Sequence, residues 1–473
     1  MQIHQLHRSS IQQQHDRTAM TCFKILLLLL LLCVYHSVAA RAADDAHRIH
    51  KVLAAASQTA EPVCAQPQVA PSSSSGATVR LSHRYGPCSP APSTEEPTVA
   101  ELLRRDQLRA EYVQGRYHGG NDVLNQSKIT VPTILGSALD TLQYVITVGI
   151  GSPAVAQNVM IDTGSDISWV HCSSSNGSVL FDPVGSTTYA PFSCTSAPCT
   201  QLGADGNGCS GSQCQYMVTY GDGSNTTGTY GSDTLALTDS ETVTDFRFGC
   251  SHKEEGSDDK LDGLMGLGGD AESLVSQTAA TYGEAFTYCL PATSRKSGFL
   301  TLGAPNSTSG FVTTPMLRSE EVPTFYGILL QDIAVGGNLL GISPTVFSAG
   351  SVMDSGTIIT RLPTRAYSAL SRAFKAGMAN YTSAPAVGLL DTCFDFTGLD
   401  SVSVPSVALV FDGGAVVDVV YDGIMIALDD VTECLAFADA DSGLSIIGNV
   451  QQRTFEVLHD VGQGVFGFRS DAC

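Results

Sequence analysis

From about residue 131 onward, the chain alternates between short apolar runs and clusters of turn-forming residues. The runs are rich in Val, Ile, Thr and Tyr, and the clusters between them contain Gly, Ser, Asp and Pro. Such runs are typical of β-strands, whereas the longer period of an amphipathic helix is scarce in this region. The pattern therefore predicts an all-β, mostly strand fold. The one strongly helical stretch nearby, residues 99–116, lies before it.

Two of the apolar runs end in the same kind of turn. Residues 159–170 read VMIDTGSDISWV and residues 351–362 read SVMDSGTIITRL, so Asp-Thr/Ser-Gly-Ser/Thr follows a strand twice. Each turn is followed much later by an apolar stretch containing Gly, which is DGLMGLG at 262–268 and SIIGNV at 445–450. The repeated order predicts an internal duplication, with two β lobes related by a pseudo-dyad around a central cleft.

The two turns carry the candidate chemistry. Gly164 and Gly356 let the backbone turn sharply where each strand ends, so that Asp162 and Asp354 face inward. If the turns meet at the dyad, the two carboxylates lie within hydrogen-bonding distance, and like charges that close cannot both ionise. One carboxylate then acts as a base for water and the other as an acid for a carbonyl. Hydroxyls expected to hydrogen-bond the carboxylates belong to Thr163, Ser165, Ser355 and Thr357.

Other interpretations of these motifs remain open. The two turns also fit unrelated β-turns, in which Asp and Ser are common. A loose G-x-G-x-x-A pattern at Gly149, Gly151 and Ala154 suggests a dinucleotide fingerprint, but Pro153 and a second strand follow it, so a hairpin is expected. The chain has no G-x-S-x-G, H-E-x-x-H or Walker motif. We expect no organic cofactor.

Composition and charge narrow the class of protein. The 473 residues suffice for two substantial cores, with 43% apolar residues, 15% charged residues and 46 Gly. The formal net charge of −21 argues against nucleic acid or an anionic membrane as partner. Lys and Arg outnumber Asp and Glu in residues 1–129, so the rest of the chain carries the acidic charge. An acidic body suits an acidic compartment, or it is simply a solvated surface that favours solubility.

The cysteines indicate an oxidising compartment. The C-x4-C spacings differ from the C-x2-C of zinc and redox sites, and only His171, His252 and His459 accompany them. We therefore expect no metal site but a disulfide framework, whose pairing the sequence leaves open. Ten of the 14 cysteines follow residue 130: Cys172, Cys194, Cys199, Cys209, Cys214, Cys250, Cys289, Cys393, Cys434 and Cys473.

The N-terminal segment predicts secretion. Residues 1–40 are interpreted as a signal peptide, because residues 23–40 combine a basic flank, a short apolar core and small residues; Met20 is an alternative start. No apolar tail follows Phe468, so we expect no membrane anchor. The destination is then extracellular (the apoplast), with the vacuole as the alternative. Glycosylation sequons add weak support at Asn125, Asn176, Asn225, Asn306 and Asn380.

Residues 41–130 are interpreted as a pro-segment, followed by an N-terminal lobe at 131–318 and a C-terminal lobe at 319–473. The pro-segment is rich in Pro and Ser and contains the helical stretch at 99–116. A removable basic helix lying on an acidic cleft would act as an intramolecular inhibitor. A plain linker or an N-terminal interaction helix is the alternative. The basic residues of the helix are Arg104, Arg105, Arg109 and Arg116.

From Tyr144 to Phe468 the chain resembles the pepsin-like aspartic endopeptidases, specifically the plant atypical (nepenthesin-like) branch. VTYGDGSNTTGTYGSDTLAL resembles the flap hairpin of that family, which puts the flap tyrosine at Tyr220, beside Gly221, and its packing partner at Trp169. The cysteine cluster resembles the nepenthesin-type insertion. The family usually has two further cysteines after WVHC, which this chain lacks, so we expect one disulfide to be missing and the pairing near Cys172 to be rearranged.

The resemblance implies a secreted aspartic endopeptidase, made as a zymogen, that hydrolyses extended peptides at acidic pH as a monomer. Two alternatives remain. One is a non-catalytic binding protein on the same fold, such as the related glycosidase inhibitors, which typically lack one aspartate or its Gly turn. The other is a carboxylate-pair glycosidase, which would need more widely separated carboxylates and aromatic sugar platforms. The single Trp and the duplicated turns argue against the glycosidase.

Overall fold

A computed structural model of the chain describes residues 47–53, 64–67, 70–72, 76–91, 97–119, 143–172, 180–220, 225–255 and 261–472. The expected signal peptide, the alternative start at Met20 and the flap residue Gly221 lie outside these residues.

The described residues are mostly β, as the apolar runs predict. The first strands are β1 (Arg48–Val52), β2 (Thr78–His83), β3 (Tyr144–Ile150), β4 (Val155–Asp162), β5 (Trp169–His171), β6 (Ala190–Pro191), β7 (Gly206–Ser210), β8 (Gln213–Thr219), β9 (Asn225–Ala236), β10 (Thr242–Glu255), β11 (Gly263–Gly266), β12 (Ala285–Cys289) and β13 (Ser297–Leu302). The helices are α1 (Val99–Gly119), α2 (Ala197–Gln201), α3 (Leu274–Tyr282), α4 (Thr364–Gly377), α5 (Tyr421–Ile424) and α6 (Asn449–Gln452).

The second half has a similar density of strands, and short 3-10 turns occur at Gly203–Asp205, Pro344–Phe347 and Asp412–Gly414. The remaining strands are β14 (Val312–Pro315), β15 (Gly327–Ile328), β16 (Leu330–Val335), β17 (Asn338–Leu339), β18 (Ser351–Met353), β19 (Thr360–Leu362), β20 (Thr382–Ala384), β21 (Cys393–Asp395), β22 (Ser401–Pro405), β23 (Val407–Phe411), β24 (Ala415–Val419), β25 (Met425–Ala427), β26 (Thr432–Leu435), β27 (Phe437–Asp439), β28 (Ser445–Ile447), β29 (Glu456–Asp460) and β30 (Val465–Arg469).

The predicted duplication is visible in the strand order around the two Asp motifs. In the first half, β11 lies parallel to β4 and antiparallel to β5, and β10 runs parallel to β5. In the second half, β28 lies parallel to β18 and antiparallel to β19, and β27 runs parallel to β19. Each motif strand thus has the same neighbours in the same orientations. The bilobal pepsin-like fold expected from the sequence is confirmed.

Segments from different parts of the chain form the sheet that joins the lobes. β2 pairs with β13 on one side and β3 on the other, while β12 pairs with β29. β1 adds to the second half by pairing with β22. The residues before the first Asp motif are therefore built into the sheets of both halves.

Helix α1 also packs against the second half. Leu103 is buried beside Ile358 and Leu390, while Ala110 and Val113 are buried against an apolar cluster of the second half. These three helix positions share one face, so the helix buries an apolar stripe in the manner of an amphipathic helix. The members of that cluster on the second half are Phe325, Val352, Leu444 and Ile446.

Disulfides connect the cysteines predicted to pair, and the structure fixes their pairing. Each cysteine of the first C-x4-C segment pairs with one of the second, and near Cys172 the pairing is Cys172–Cys250, with Cys250 inside β10. Cys289 is also disulfide-bonded. The pairs between described residues are Cys64–Cys88, Cys172–Cys250, Cys194–Cys209, Cys199–Cys214 and Cys393–Cys434.

His459 lies in the core of the sheet between the lobes. It is fully buried, stacks on Phe286 at 4.5 Å between ring centroids and contacts Phe466 edge-on. Among the described residues neither of its ring nitrogens has a hydrogen-bond partner. Burial, assisted by the charge of Arg318, lowers the pKa of His459 from 6.5 to about 3. The ring therefore stays neutral in the folded protein while it would be protonated in the unfolded chain at moderately acidic pH.

This histidine should make the fold less stable in acid. The contribution of the neutral, buried His459 to the free energy of unfolding is fully present above pH 6.5. It is lost as the pH falls toward 3, because in this range only the unfolded chain gains the proton. At pH 4 the loss is about 3 kcal/mol of unfolding free energy. We expect His459→Phe to reduce the loss of thermal stability between pH 7 and pH 4. The exposed His50→Phe serves as control, and an unchanged pH dependence in His459→Phe would contradict the assignment.

Candidate active site

Asp162 and Asp354 lie at the ends of the two motif strands, and both are fully buried. They converge on one guanidinium, that of Arg109 on α1. Nη2 of Arg109 donates to Oδ1 of Asp162 at 2.7 Å and to Oδ1 of Asp354 at 2.9 Å. Nη1 donates to Asp162 Oδ2 at 3.2 Å, and Nε donates to Asp354 Oδ2 at 3.1 Å. The carboxylates thus share a single nitrogen, and the sequence motifs do meet.

Glycine makes this approach possible at both turns. The Gly164 N–H donates to Asp162 Oδ1 at 3.0 Å, and the Gly356 N–H donates to Asp354 Oδ1 at 3.2 Å. A Cβ placed on Gly164 would lie 2.8 Å from Asp354 Oδ1, and one on Gly356 would lie 2.8 Å from Asp162 Oδ1. Each turn therefore packs against the carboxylate of the other lobe, at a distance that no side chain tolerates.

The hydroxyls act differently from what the sequence led us to expect. Only Thr357 donates to a carboxylate, namely to Asp354 Oδ2 at 2.6 Å. Thr163 and Ser355 bond to each other's turns instead. Thr163 N–H donates to Ser355 Oγ at 3.1 Å, and Ser355 N–H donates to Thr163 Oγ1 at 2.9 Å. The Ser165 hydroxyl has no hydrogen-bond partner among the described residues. Thr163, Ser355 and Ser165 therefore do not bond the carboxylates as expected; bonds that cross between the lobes occupy the hydroxyls of Thr163 and Ser355.

Arg109 is the counter-ion of this buried pair. Its side chain is 2% exposed. Burial alone would lower its pKa, but the two carboxylates outweigh burial and raise the pKa well above its usual value. A buried guanidinium that makes four hydrogen bonds compensates two carboxylates that could not otherwise both ionise.

The other arginines of α1 lie elsewhere. Arg104 and Arg105 pair with Glu101 on the same helix, and Arg116 lies over the ring of Tyr112. The sequence therefore pointed to a basic helix but could not say which arginine would enter the cleft.

A second buried ion pair lies one helical turn from Arg109. Asp106 of α1 accepts from Nη2 of Arg361 at 2.9 Å and from the Ile359 N–H at 3.1 Å; it also accepts from the Ile358 N–H. Both side chains are at most 1% exposed. Burial raises the pKa of Asp106, although Arg361 and the two N–H donors act in the opposite direction. This pair could not be predicted from the sequence, because nothing in the local pattern of either segment indicates it.

The hairpin of β8 and β9 brings Tyr220 next to Trp169, as the resemblance implied. The indole N–H of Trp169 donates to the Tyr220 hydroxyl at 2.7 Å, and both rings are buried. Burial raises the pKa of Tyr220 well above its usual value, so the phenol remains protonated. The hairpin tip, which includes Gly221, lies outside the described residues.

Several alternatives can be compared with the structure. The G-x-G-x-x-A segment is the turn between the antiparallel strands β3 and β4, so the hairpin expected there is present. In the part of the chain that the structure describes, no group of His, Cys, Asp and Glu has the arrangement of a metal site. None of the helices within the described ranges is both long and apolar enough to cross a membrane.

Comparison with known proteins agrees with the fold and the site. Residues 144–304 match the family model described as xylanase inhibitor N-terminal, and residues 325–470 match the xylanase inhibitor C-terminal model. Aspartyl protease AED1 of Arabidopsis thaliana is 38% identical over 85% of this chain and 88% of its own length. Aspartic proteinase nepenthesin-1 of Nepenthes gracilis is 32% identical over 70% of this chain and 78% of its own.

Solved structures show the same fold. Conglutin gamma, a basic 7S globulin from lupine seeds, superposes with a TM-score of 0.57 at 21% identity, covering 70% of this chain and 92% of its own. The chain belongs to the plant atypical pepsin-like aspartic proteases. It is an aspartic-type endopeptidase, a hydrolase of peptide bonds.

The close approach of the turns gives a direct test of the site. Gly356→Ala places a methyl group against the carboxylate of Asp162, so one carboxylate has to move by a sizeable fraction of an ångström. We expect peptidase activity to fall at least about a hundredfold, because misplacement on that scale disrupts catalytic geometry. The exposed Gly185→Ala has room for its methyl group and is the matched control. Full activity in Gly356→Ala would contradict the geometry described.

Proposed function

We propose that the protein hydrolyses peptide bonds at acidic pH through Asp162 and Asp354, and that it is made as an inactive precursor. The observation that supports this most strongly is the convergence of both buried carboxylates on one Arg109 nitrogen. Groups so close can share one proton once Arg109 leaves, which gives one base and one acid side by side.

The reaction needs no group beyond the chain and water. The ionised aspartate takes a proton from a water molecule held between the carboxylates, and the water oxygen attacks the scissile carbonyl carbon. The protonated aspartate donates its hydrogen bond to the developing oxyanion of the tetrahedral intermediate. The aspartate that took the proton of the water then gives a proton to the amide nitrogen, the C–N bond breaks with its electron pair leaving on nitrogen, and the amine and the carboxylic acid are released. Thr357 and the Gly N–H groups orient the carboxylates throughout.

Substrate would bind as an extended strand beneath the β8–β9 hairpin. Tyr220, which accepts a hydrogen bond from Trp169, would order the base of this hairpin over the substrate. A peptide in extended conformation can pair with such an edge through its main chain, which suits proteins of varied sequence. Gly221, the residue after Tyr220, is proposed to take part in substrate binding. We propose that the protein acts as a monomer.

Residues 41–130 would form the pro-segment of the precursor, with α1 as its inhibitory element. Arg109 bonds both carboxylates, where the attacking water would have to bind, and the helix that carries it would also take space needed by an extended substrate. Removal of the helix would expose both carboxylates to water and substrate. The lobes at 131–318 and 319–473 would then form the mature enzyme.

A secretory route fits the covalent features of the chain. The disulfides require an oxidising compartment, and the sequon residues Asn306 and Asn380 are exposed and accessible to glycosylation. We propose that the protein is exported to the apoplast, with the vacuole as the alternative destination.

The family models favour one second candidate. Their descriptions name xylanase inhibitors, so the second candidate is a non-catalytic binding protein on this fold. Such a protein would bind its partner without using the two aspartates for catalysis. A non-catalytic binding protein would not need two converging aspartates, their Gly turns or a buried arginine that bonds both carboxylates. Peptidase activity therefore remains the better supported function.

The deciding experiment is cleavage of a denatured protein between pH 3 and pH 8 by the purified precursor. We expect activity only in acid, with a shortened N-terminus and inhibition by pepstatin. Asp162→Asn should abolish activity, since it removes the carboxylate that shares the proton, whereas the exposed Asp239→Asn should keep it. A folded protein freed of residues 41–130 that cleaves nothing at any pH would support the binding protein instead.

Arg109 provides a separate test of the precursor. Arg109→Gln leaves two buried carboxylates without their counter-ion and should destabilise the docked helix by about 3 kcal/mol or more. We expect the variant precursor to cleave protein substrate at pH values where the unmodified precursor is inactive. Arg104→Gln, whose arginine pairs with Glu101 on the same helix, is the control and should behave like the unmodified chain. Identical activation profiles for Arg109→Gln and the unmodified precursor would refute the inhibitory role.

A further inference from the structure

Arg361 has an unusual environment for a buried arginine. It lies on β19, which has β28 on one side and β27 on the other, and is 1% exposed. Within the described residues its one ion-pair partner is Asp106. This partner belongs to helix α1 and not to the second lobe. Its Nη1 makes only a long contact of 3.4 Å to the Ile359 carbonyl, and its Nε has no partner in the described ranges.

The position of Asp106 relates Arg361 to the reacting carboxylates. Asp106 and Arg109 are three residues apart on one helix, which corresponds to about 4.5 Å along its axis. An extended peptide advances about 3.3 Å per residue. The spacing of Asp106 and Arg109 along the helix therefore matches the advance of one or two residues of an extended peptide, so Asp106 marks a position suited to a substrate side chain near the scissile bond.

Departure of α1 would leave Arg361 without its counter-ion, close to the buried apolar side chains of Ile358 and Ile359. A buried guanidinium without a counter-ion is costly, so a carboxylate that replaces Asp106 is strongly favoured over a neutral group. The nearest acidic residue on the neighbouring strand, Asp439, accepts instead from the hydroxyl of Thr364 at 2.9 Å. Ile358 and Ile359 would also present two N–H donors that had served Asp106.

We propose that Arg361 is a specificity-determining residue that binds the carboxylate of an acidic substrate side chain within two residues of the scissile bond. Asp106 of α1 then occupies this subsite in the precursor as a substitute for that side chain. The inference rests on the proposed peptidase function and adds a substrate class to it: peptides with Asp or Glu close to the cleaved bond.

The test uses the acid-processed enzyme and sets of peptides that differ only in Glu, Gln or Lys at one position near the scissile bond. At pH 5.5, where a glutamate side chain is ionised, we expect kcat/KM for the Glu peptide to exceed that for the Gln peptide about tenfold at one position. The ratio should approach one near pH 3, because the substrate glutamate is then protonated.

Variants at position 361 assign the preference to this side chain. Arg361→Gln should reduce the Glu-to-Gln ratio to below about twofold, Arg361→Lys should restore part of it, and Arg361→Glu should favour the Lys peptide. Arg365→Gln, which removes a neighbouring exposed arginine on α4, should keep the full ratio. The measured quantity is the ratio of kcat/KM for two peptides. A variant that is merely less stable loses activity on both peptides equally, so its ratio stays unchanged.

The possible outcomes distinguish the role of Arg361 from the peptidase function on which it rests. Cleavage of Gln peptides without any preference for Glu, or a preference that persists in Arg361→Gln, would overturn the role of Arg361 and leave the peptidase function intact. Cleavage of no peptide of any charge would overturn the peptidase function, and the proposed subsite with it.

Discussion

Two like charges that must lie side by side in a buried cleft are the constraint around which this protein is organised. Asp162 and Asp354 are both fully buried, and each is approached by the glycine turn of the opposite lobe. Uncompensated carboxylates in such a place would be too costly to ionise together. In the structure, Arg109 compensates both through four hydrogen bonds. In the proposed mature enzyme, a proton shared by the two carboxylates would replace Arg109. The close approach of the carboxylates would thus explain both the arginine in the precursor and the acid and base of the reaction.

The duplicated strand order explains how one chain brings two such residues together. β4, β11, β5 and β10 in one half have the same mutual orientations as β18, β28, β19 and β27 in the other. Each motif strand therefore delivers its aspartate to the same point of its lobe, and the crossed bonds between Thr163 and Ser355 lock the two turns in register. Strands contributed from both halves and from β2 form the sheet that holds the lobes together. The precision of the site thus comes from strand pairing rather than from any loop.

Local pattern was sufficient for the fold and for the identity of the paired residues. The alternation of apolar runs and turn residues predicted strands, and two copies of Asp-Thr/Ser-Gly predicted two meeting turns, because both signals are written in adjacent residues. Contacts between distant segments could not be predicted in the same way. Which of four arginines enters the cleft depends on how α1 lies across the lobes, and the pairing of Asp106 with Arg361 joins segments with no shared pattern. The same limitation explains Ser165, whose hydroxyl was expected on a carboxylate but has no partner in the described part of the chain.

The most direct test of the account follows activity and chain length together after the precursor is acidified. Samples taken through one time course would be assayed for peptidase activity and analysed by mass spectrometry for the N-terminus. If α1 holds the two aspartates inactive through Arg109, activity should rise in proportion to the fraction of molecules that have lost residues 99–119. Full activity in molecules that still carry this helix would contradict the account.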